Sequence, residues 1–266
     1  MAEGEDDETD EEFAKSMQKN LQRLIFYAQS ADVGLQRQVA ERLANEAVKP
    51  NRQRQIVELG GLQLLLPLTK SEDEEVKRLA AHALANLSVN ASNQIKMTNE
   101  GGVEMLIDLL ESENCAIKRQ AAKAIANLGV NQENKATIAQ LGGIQPLISL
   151  ARDADIPVRV EAIAALANLA VDDDNEESIA RQDGLPPILD AARSSNMELV
   201  SQASRALRNL SVNDHNKELL IKLGATSVLQ DLGSTSNAKI QSQALRALAN
   251  LKQQPNFEEK SADRHK

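Results

Sequence analysis

The sequence has no tryptophan, one tyrosine and three phenylalanines, so aromatic side chains make up only 2% of its 266 residues. Its core must therefore be built from leucine, isoleucine, valine and alanine, which suits closely packed helices. Hydrophobic residues reach 42%, which is enough for a continuous core. Glycine and proline are also scarce, with 12 and 7 copies, which argues against disorder outside the chain ends.

A single cysteine, Cys115, excludes an intrachain disulfide framework and fits a reducing compartment. No run of roughly 18 apolar residues is present to span a membrane. Acids stand where a signal peptide needs a basic start, and residue 2 is alanine, so the glycine required for myristoylation is missing. The net charge of −9 argues against a general nucleic-acid binder. We therefore expect a protein of the cytoplasm or the nucleus, without membrane insertion.

Residues that could carry catalysis are not grouped. His82, His215 and His265 lie far apart, and no histidine recurs beside Cys115. The glycine pairs lack the spacing of a phosphate or dinucleotide loop. The acidic run at residues 172–174 has no counterpart elsewhere, which indicates a solvated linker. We expect no enzyme, no metal site and no cofactor.

What the sequence does contain is one recurring pattern. Residues 83–90 read Ala-Leu-Ala-Asn-Leu-Ser-Val-Asn, and close copies follow along the chain. The central asparagines are 41 residues apart, five times in succession: Asn45, Asn86, Asn127, Asn168, Asn209 and Asn250. A fixed period of this length indicates a repeat array, in which each unit buries its apolar face against its neighbours.

The unit at residues 90–131 predicts three helical stretches, at residues 93–100, 103–110 and 115–129. A glycine pair separates the first two, as a left-handed helix end requires. Asn114 precedes the third, where its side chain can cap the first turn. The equivalent positions are all acidic or amide residues: Asp32, Asp73, Asp155, Asn196 and Asn237. The glycine stop recurs as well: Gly60, Gly61, Gly101, Gly102, Gly142, Gly143, Gly184 and Gly224.

The ends of the chain differ from the repeats. Residues 1–12 hold eight acids and no base, which predicts a solvated, disordered tail. The tail either only solubilises the protein or also shields a basic surface behind it. The array is expected over residues 13–251 and a polar tail over residues 252–266. The first unit is partial, and Glu46 stands where later copies have leucine, so we expect it to face water on an outer cap.

Three helices per unit, the 40-odd-residue period, the glycine pair and the Ala-Leu-x-Asn-Leu ending resemble armadillo repeats over residues 11–251. HEAT repeats are two-helix units without this asparagine ending. The repeats are similar to those of β-catenin and of vacuolar armadillo adaptors. The resemblance implies an all-α fold, a right-handed α-solenoid of about six three-helix repeats, the first partial. The third helices then line a concave groove.

In that family an asparagine at the matching place holds the main chain of an extended peptide. The resemblance implies such a ladder here: Asn86, Asn127, Asn168, Asn209 and Asn250. Asparagine offers both a donor and an acceptor, which suits a main chain presented at regular intervals. The alternative is that each asparagine only ties its helix end to the neighbouring repeat.

Residues four, seven and eight positions before each asparagine share its face or flank it. They include eight groove candidates: His82, Lys123, Arg205, Arg246, Gln120, Gln202, Arg78 and Arg119. This face has more basic residues than we expect for a protein of net negative charge. It is interpreted either as a groove for an acidic or phosphorylated peptide or as an ordinary solvated helical face.

The functional expectation is a non-enzymatic scaffold or adaptor that binds an extended, acidic or phosphorylated partner segment along the groove. A nuclear transport adaptor similar to importin alpha is one alternative. That family has tryptophan four residues before the asparagine, and this sequence has none. The other alternative is a substrate-binding module that acts with a separate ubiquitin ligase or motor chain.

Overall fold

The computed structural model describes residues 9–253, which form seventeen helices and no strand. Helices α1 and α2 make a partial first unit, and five triplets of helices follow. The bounds are α1 Asp10–Ala28, α2 Val33–Ala47, α3 Pro50–Glu58, α4 Gly61–Leu68, α5 Glu74–Leu87, α6 Ala91–Asn99, α7 Gly102–Leu110, α8 Cys115–Leu128, α9 Gln132–Gln140, α10 Ile144–Leu150, α11 Ile156–Leu169, α12 Asp173–Arg181, α13 Leu185–Ala191, α14 Met197–Leu210, α15 Asp214–Lys222, α16 Ala225–Gly233 and α17 Ala238–Lys252. The predicted all-α solenoid, with a partial first repeat, is confirmed.

The third helix of each unit begins where the caps predict. Asp73 Oδ1 accepts from the backbone amide of Val76 at 2.9 Å, and Asn114 Oδ1 accepts from that of Ala116 at 2.9 Å. The other four predicted caps accept first-turn amides in the same way. A side-chain cap of this kind stabilises a helix start by about 1 kcal/mol. The position of every third helix is therefore specified locally.

Glycine ends the first helix in four units, where residues 60, 101, 142 and 224 adopt φ between 79° and 86°. Gly184 does not, contrary to our expectation: its φ is −80°, and Asp183 takes the left-handed conformation with φ 62°. Arg152 donates from Nη2 to the carbonyl oxygen and to Oδ2 of Asp183, at 2.8 and 2.7 Å. A Cβ at Gly184 would lie 2.8 Å from the carbonyl oxygen of Ile179, so glycine is needed there for space.

Successive third helices pack side by side through the whole array, in the order α2, α5, α8, α11, α14 and α17. Each of the last five carries, at the same point of its repeat, an alanine with no exposed surface: Ala80, Ala121, Ala162, Ala203 and Ala244. Larger side chains at these positions would overpack the contact between helices and destabilise the protein by about 1–3 kcal/mol. The small residues thus set the helix spacing.

A second, buried row of asparagines joins the first helices of consecutive repeats. The row consists of Asn93, Asn134, Asn175 and Asn216, of which no member is more than 3% exposed. Each donates its Nδ2 to the main-chain carbonyl of the residue 40 positions earlier, at 3.0 to 3.2 Å. Since a buried carbonyl without a donor is costly, the row stabilises every repeat boundary.

At the N-terminal end, Arg52 stands at the position of that row and is only 2% exposed. Its Nε lies 3.1 Å from Asp10 Oδ1, and its Nη1 binds the Glu46 carboxylate. Our expectation that Glu46 faces water is therefore wrong. Glu46 pairs with a buried cation beneath α1. Asp10 begins α1, so the predicted tail overlaps this helix by residues 10–12. Residues 1–8 and 254–266 lie outside the described part of the chain.

Candidate functional site

The row of third helices presents one face to solvent, and we call it the third-helix surface. It is formed by the ladder asparagines and the eight predicted side chains around them. Asn86, Asn127, Asn168 and Asn250 are partly exposed, whereas Asn209 is 9% exposed. The fold thus places all the predicted residues on consecutive, adjacent helices, because the 41-residue step puts each at the same point of its repeat.

The ladder asparagines use their donors within the protein. Nδ2 of Asn168 lies 2.7 Å from the carbonyl oxygen of Ala126, and Nδ2 of Asn209 lies 2.8 Å from that of Ala167. Asn127 donates to Ser88 Oγ at 3.0 Å, and Asn250 donates to Ser211 Oγ at 3.0 Å. Each bond reaches the preceding third helix or its end, so these asparagines do tie neighbouring repeats together.

The acceptor ends of the same amides are used differently. Within residues 9–253, no group donates a hydrogen bond to Oδ1 of Asn127, Asn168 or Asn250. A partly exposed amide oxygen in this state can accept from the main chain of a ligand. The nitrogen therefore ties the repeats while the oxygen has no partner in the described chain, so the two interpretations of the ladder are compatible.

Two ladder positions differ from this scheme. Asn86 Nδ2 lies 3.2 Å from His82 Nε2, a contact within its own helix. Asn209 Oδ1 accepts from Nε and Nη2 of Arg208, at 3.0 and 2.7 Å. Burial lowers the pKa of His82, and the cations of Arg78 and Lys123 lower it further. His82 is therefore neutral near pH 7 and adds no charge to the surface.

The predicted basic residues divide into paired and unpaired ones. Arg78 binds Glu75 with two hydrogen bonds, at 2.8 and 2.6 Å, and this contact lowers the pKa of Glu75. Within residues 9–253, Arg119, Lys123 and Arg246 form no ion pair. Arg78 is thus largely neutralised, and the other three carry the free positive charge.

Glu161, on α11, lies opposite this charge. Burial raises the pKa of Glu161, and the nearby Lys123 and Arg119 counteract that rise. Two glutamines at the same helical position on other repeats, Gln120 and Gln243, each have a buried Oε1 with no partner among the described residues. This helical position therefore holds one partly buried acid on α11 and amide oxygens on α8 and α17 that have no partner in the described chain.

Arg205 lies across the preceding third helix, since Ala164 leaves room for it. Its Nη2 donates to the carbonyl oxygen of Ala164 at 3.1 Å, and its buried Nε has no partner in the described chain. Burial lowers the pKa of Arg205, and the neighbouring guanidinium of Arg208 lowers it further. Gln202, one turn earlier on the same helix, is partly exposed.

Sequence reasoning missed Arg208, Glu75 and the buried asparagine row. Each had a signal in the repeat. Arg208 precedes a ladder asparagine where the other copies have alanine, and the buried row lies seven residues after the ladder at the same 41-residue step. The Glu75–Arg78 pair is three residues apart on one helix, a spacing at which side chains meet.

We next consider side chains in the described chain that could hold a metal ion, helices that could cross a membrane, and the single cysteine. Among residues 9–253, no three histidine, cysteine or acidic side chains come together in a way that could hold a metal ion. Within the same residues, none of the helices has both the length and the apolar composition needed to cross a membrane. Cys115 is a free, exposed thiol.

Stacked helix triplets with a continuous row of third helices define a helical-repeat scaffold of the α-solenoid class. The model of the Armadillo/beta-catenin-like repeat matches residues 49–89, 90–130, 131–171 and 172–212, and the chain belongs to this family. The fold is typical of protein-binding scaffolds that carry no catalytic site. A comparison of the sequence with curated proteins gives no match.

Solved structures of similar fold include engineered repeat proteins. One engineered protein is 32% identical, with a TM-score of 0.81 over 88% of this chain and 96% of its own. A designed armadillo repeat protein is 26% identical, with a TM-score of 0.80 over 86% of this chain and 98% of its own. Another, described in complex with the peptide (KR)4, is 26% identical, with a TM-score of 0.78 and the same coverage.

Proposed function

We propose that the third-helix surface binds an extended segment of a partner protein, and that the segment carries acidic or phosphorylated side chains. One observation carries the proposal. The Oδ1 atoms of Asn127, Asn168 and Asn250 accept no hydrogen bond within residues 9–253, and cations without an ion pair lie on the helices of Asn127 and Asn250. The protein then acts as a scaffold or adaptor rather than an enzyme.

The spacing of the ladder matches an extended main chain. Packed helices lie about 8–10 Å apart, and an extended chain advances about 3.3 Å per residue, so one repeat corresponds to roughly two to three ligand residues. Main-chain hydrogen bonds to the asparagines hold the ligand with little regard to its sequence. Selection among ligands is left to the side chains beside the ladder.

Those side chains favour an acidic ligand. Arg119, Lys123 and Arg246 form no ion pair in the described chain. Glu161, near Lys123 and Arg119, is the acid that offsets part of this charge. A designed armadillo repeat protein of similar fold is described in complex with the basic peptide (KR)4. For this chain we infer an acidic ligand, because the unpaired charge on the third-helix surface is positive. The sequence also has no tryptophan to hold lysine stems.

Fluorescence anisotropy with two labelled eight-residue peptides, (KR)4 and (DE)4, tests the proposal. We expect (DE)4 to bind wild type at least about tenfold more tightly than (KR)4, and the difference to shrink as salt screens the charges. Lys123→Glu should reduce that preference. Lys222→Glu, at an exposed site on α15, makes the same change in net charge and is the control.

Tighter binding of (KR)4 than of (DE)4 by wild type would overturn the acidic-ligand proposal and favour a transport adaptor. Equal effects of Lys123→Glu and Lys222→Glu would show that only net charge matters. The ligase or motor alternative makes no different claim about this surface, and identification of the natural partner separates it from a plain adaptor.

A further inference from the structure

Arg208 interrupts an otherwise uniform position of the repeat. The residue before the ladder asparagine is alanine in the other copies: Ala44, Ala85, Ala126, Ala167 and Ala249. These alanines leave the asparagine amide open at its acceptor end. Arg208 instead places a long cationic side chain directly beside Asn209.

The guanidinium of Arg208 closes the acceptor of Asn209. Nε and Nη2 both donate to Oδ1, at 3.0 and 2.7 Å, while Nδ2 of Asn209 donates to the Ala167 carbonyl. Both ends of this amide are thus used, unlike those of Asn127 and Asn168. A ligand main chain cannot bond to Asn209 unless Arg208 first moves away.

A second guanidinium lies close to the first. Arg205 is one turn earlier on α14, bonded to the Ala164 carbonyl through Nη2, with its buried Nε lacking a partner in the described chain. The two arginines are three residues apart on α14, a spacing at which side chains are neighbours, and the charge of Arg208 contributes to the lowered pKa of Arg205 after burial. Within residues 9–253, neither arginine forms an ion pair with a carboxylate.

Two partly buried guanidiniums without a counter-ion are an unfavourable arrangement that an anion relieves. The fork of each side chain can bind two oxygens of a phosphate or carboxylate group. The geometry points to an anion site formed by Arg205 and Arg208, at which the anion draws Arg208 off Asn209 and frees Oδ1 for the ligand main chain. The inference rests on the proposed function in that the anion belongs to the extended segment.

Arg208 is then a specificity-determining residue, because it makes the fifth unit of the array bind a segment only where that segment carries an anionic side chain. A phosphate monoester fits better than a carboxylate, since it offers three oxygens and close to two charges at pH 7. The site therefore sets the register of the bound segment, with its anionic residue next to Asn209.

Inorganic phosphate is the first probe, because it needs no peptide. Side-chain NMR of the full chain follows the Nε–H signals of the arginines and the Nδ2 signals of Asn209 during the titration. We expect saturable shifts at Arg205, Arg208 and Asn209, and roughly fivefold weaker binding in Arg205→Ala and in Arg208→Ala. Arg181→Ala, at the exposed end of α12 and outside the third-helix surface, is the control and should change the affinity by less than about twofold. Equal, unsaturated shifts at all exposed arginines would overturn the site.

The second probe is one Gly-Ser peptide of eight residues made with serine, glutamate or phosphoserine at its centre. Wild type should bind the phosphoserine form most tightly and the serine form most weakly. Arg208→Ala should lose that preference and bind the serine form at least as tightly as wild type, since Asn209 is then open. Equal weakening of the binding of all three peptides by Arg208→Ala would overturn the gating role of Arg208.

The two probes separate this inference from the proposed function. Binding of phosphate at Arg205 and Arg208 without binding of any peptide would overturn the peptide-binding surface and leave the anion site supported. Binding of acidic peptides with no response of Arg205 and Arg208 to phosphate or to phosphoserine would support the surface and overturn the anion site.

Discussion

The guanidinium carbon of Arg52 lies 4.6 Å from the centre of the Phe13 ring, and this contact closes the N-terminal end of the array. Phe13 is 1% exposed and packs in the core with Met17. The partial first unit therefore works as a cap: α1 covers a cation that would otherwise be open to solvent at the position of the buried asparagine row.

The first prediction concerns this cap. Phe13→Ala removes a fully buried ring and uncovers Arg52, so it should lower the free energy of unfolding by about 3–5 kcal/mol. Urea denaturation measures the loss, and hydrogen exchange should place it in α1 and α2. Phe26 is 67% exposed, and Phe26→Ala should stay within about 0.5 kcal/mol of wild type. Similar losses in the two variants would show that α1 is not a cap.

The second prediction concerns the buried asparagine row. Asn134 donates to the carbonyls of Gln94 and Leu128, at 3.2 and 3.1 Å. Asn134→Ala leaves both carbonyls without this donor and should destabilise the protein by about 1–3 kcal/mol. Asn99→Ala, at an exposed helix end, is the matched control. An unchanged denaturation midpoint for Asn134→Ala would show that the row contributes nothing at this boundary.

The third prediction concerns pH. Glu176 is buried at a position where the preceding repeats have the donors Gln53, Gln94 and Lys135. Burial is the main cause that raises the pKa of Glu176 to about 7, and the negative charge of Asp173 is the second. A hydrogen bond from the Asn213 side chain opposes the rise. Asp172 and Glu177 also disfavour its charge.

Because the folded-state pKa is raised, the stability that Glu176 contributes is present below its ordinary value of 4.5 and is lost as pH rises through about 7. Glu176→Gln mimics the protonated acid. It should stabilise the protein by about 1–3 kcal/mol at pH 8 and change little at pH 5. Glu218→Gln, at the exposed counterpart of Glu177 on α15, is the control. Equal effects of Glu176→Gln at both pH values would contradict the assignment.

The fourth prediction concerns the period itself. Deleting residues 131–171 removes α9, α10 and α11 and joins Val130 to Asp172, which caps the next helix as Asn131 does. The shortened protein should remain soluble and cooperatively folded, because each repeat contacts only its neighbours. Deleting residues 131–151 instead leaves α11 without the other two helices of its repeat and should impair folding. Circular dichroism and gel filtration compare the two; insoluble product from the 41-residue deletion alone would argue against a modular array.

Most of the fold could be predicted because its determinants are local and repeat. The six capping residues and the ladder asparagines recur at the same point of each period, and four of the five predicted glycine stops have the left-handed φ. Gly184 was the exception, since Asp183 is held in the left-handed conformation by Arg152, a residue 31 positions away. The sequence by itself thus determined the order of the helices and the start of each third helix, whereas α6 begins at Ala91, two residues before the predicted stretch.

The tertiary structure alone decided which polar groups remain free. Asn168 uses its nitrogen on a carbonyl 42 residues earlier, and Asn209 has its oxygen held by Arg208. Glu46 turned from an expected solvent-facing charge into the partner of buried Arg52. Hydrogen bonds and ion pairs of this kind depend on side-chain direction and on neighbours one repeat away, and a periodic pattern carries no information about either.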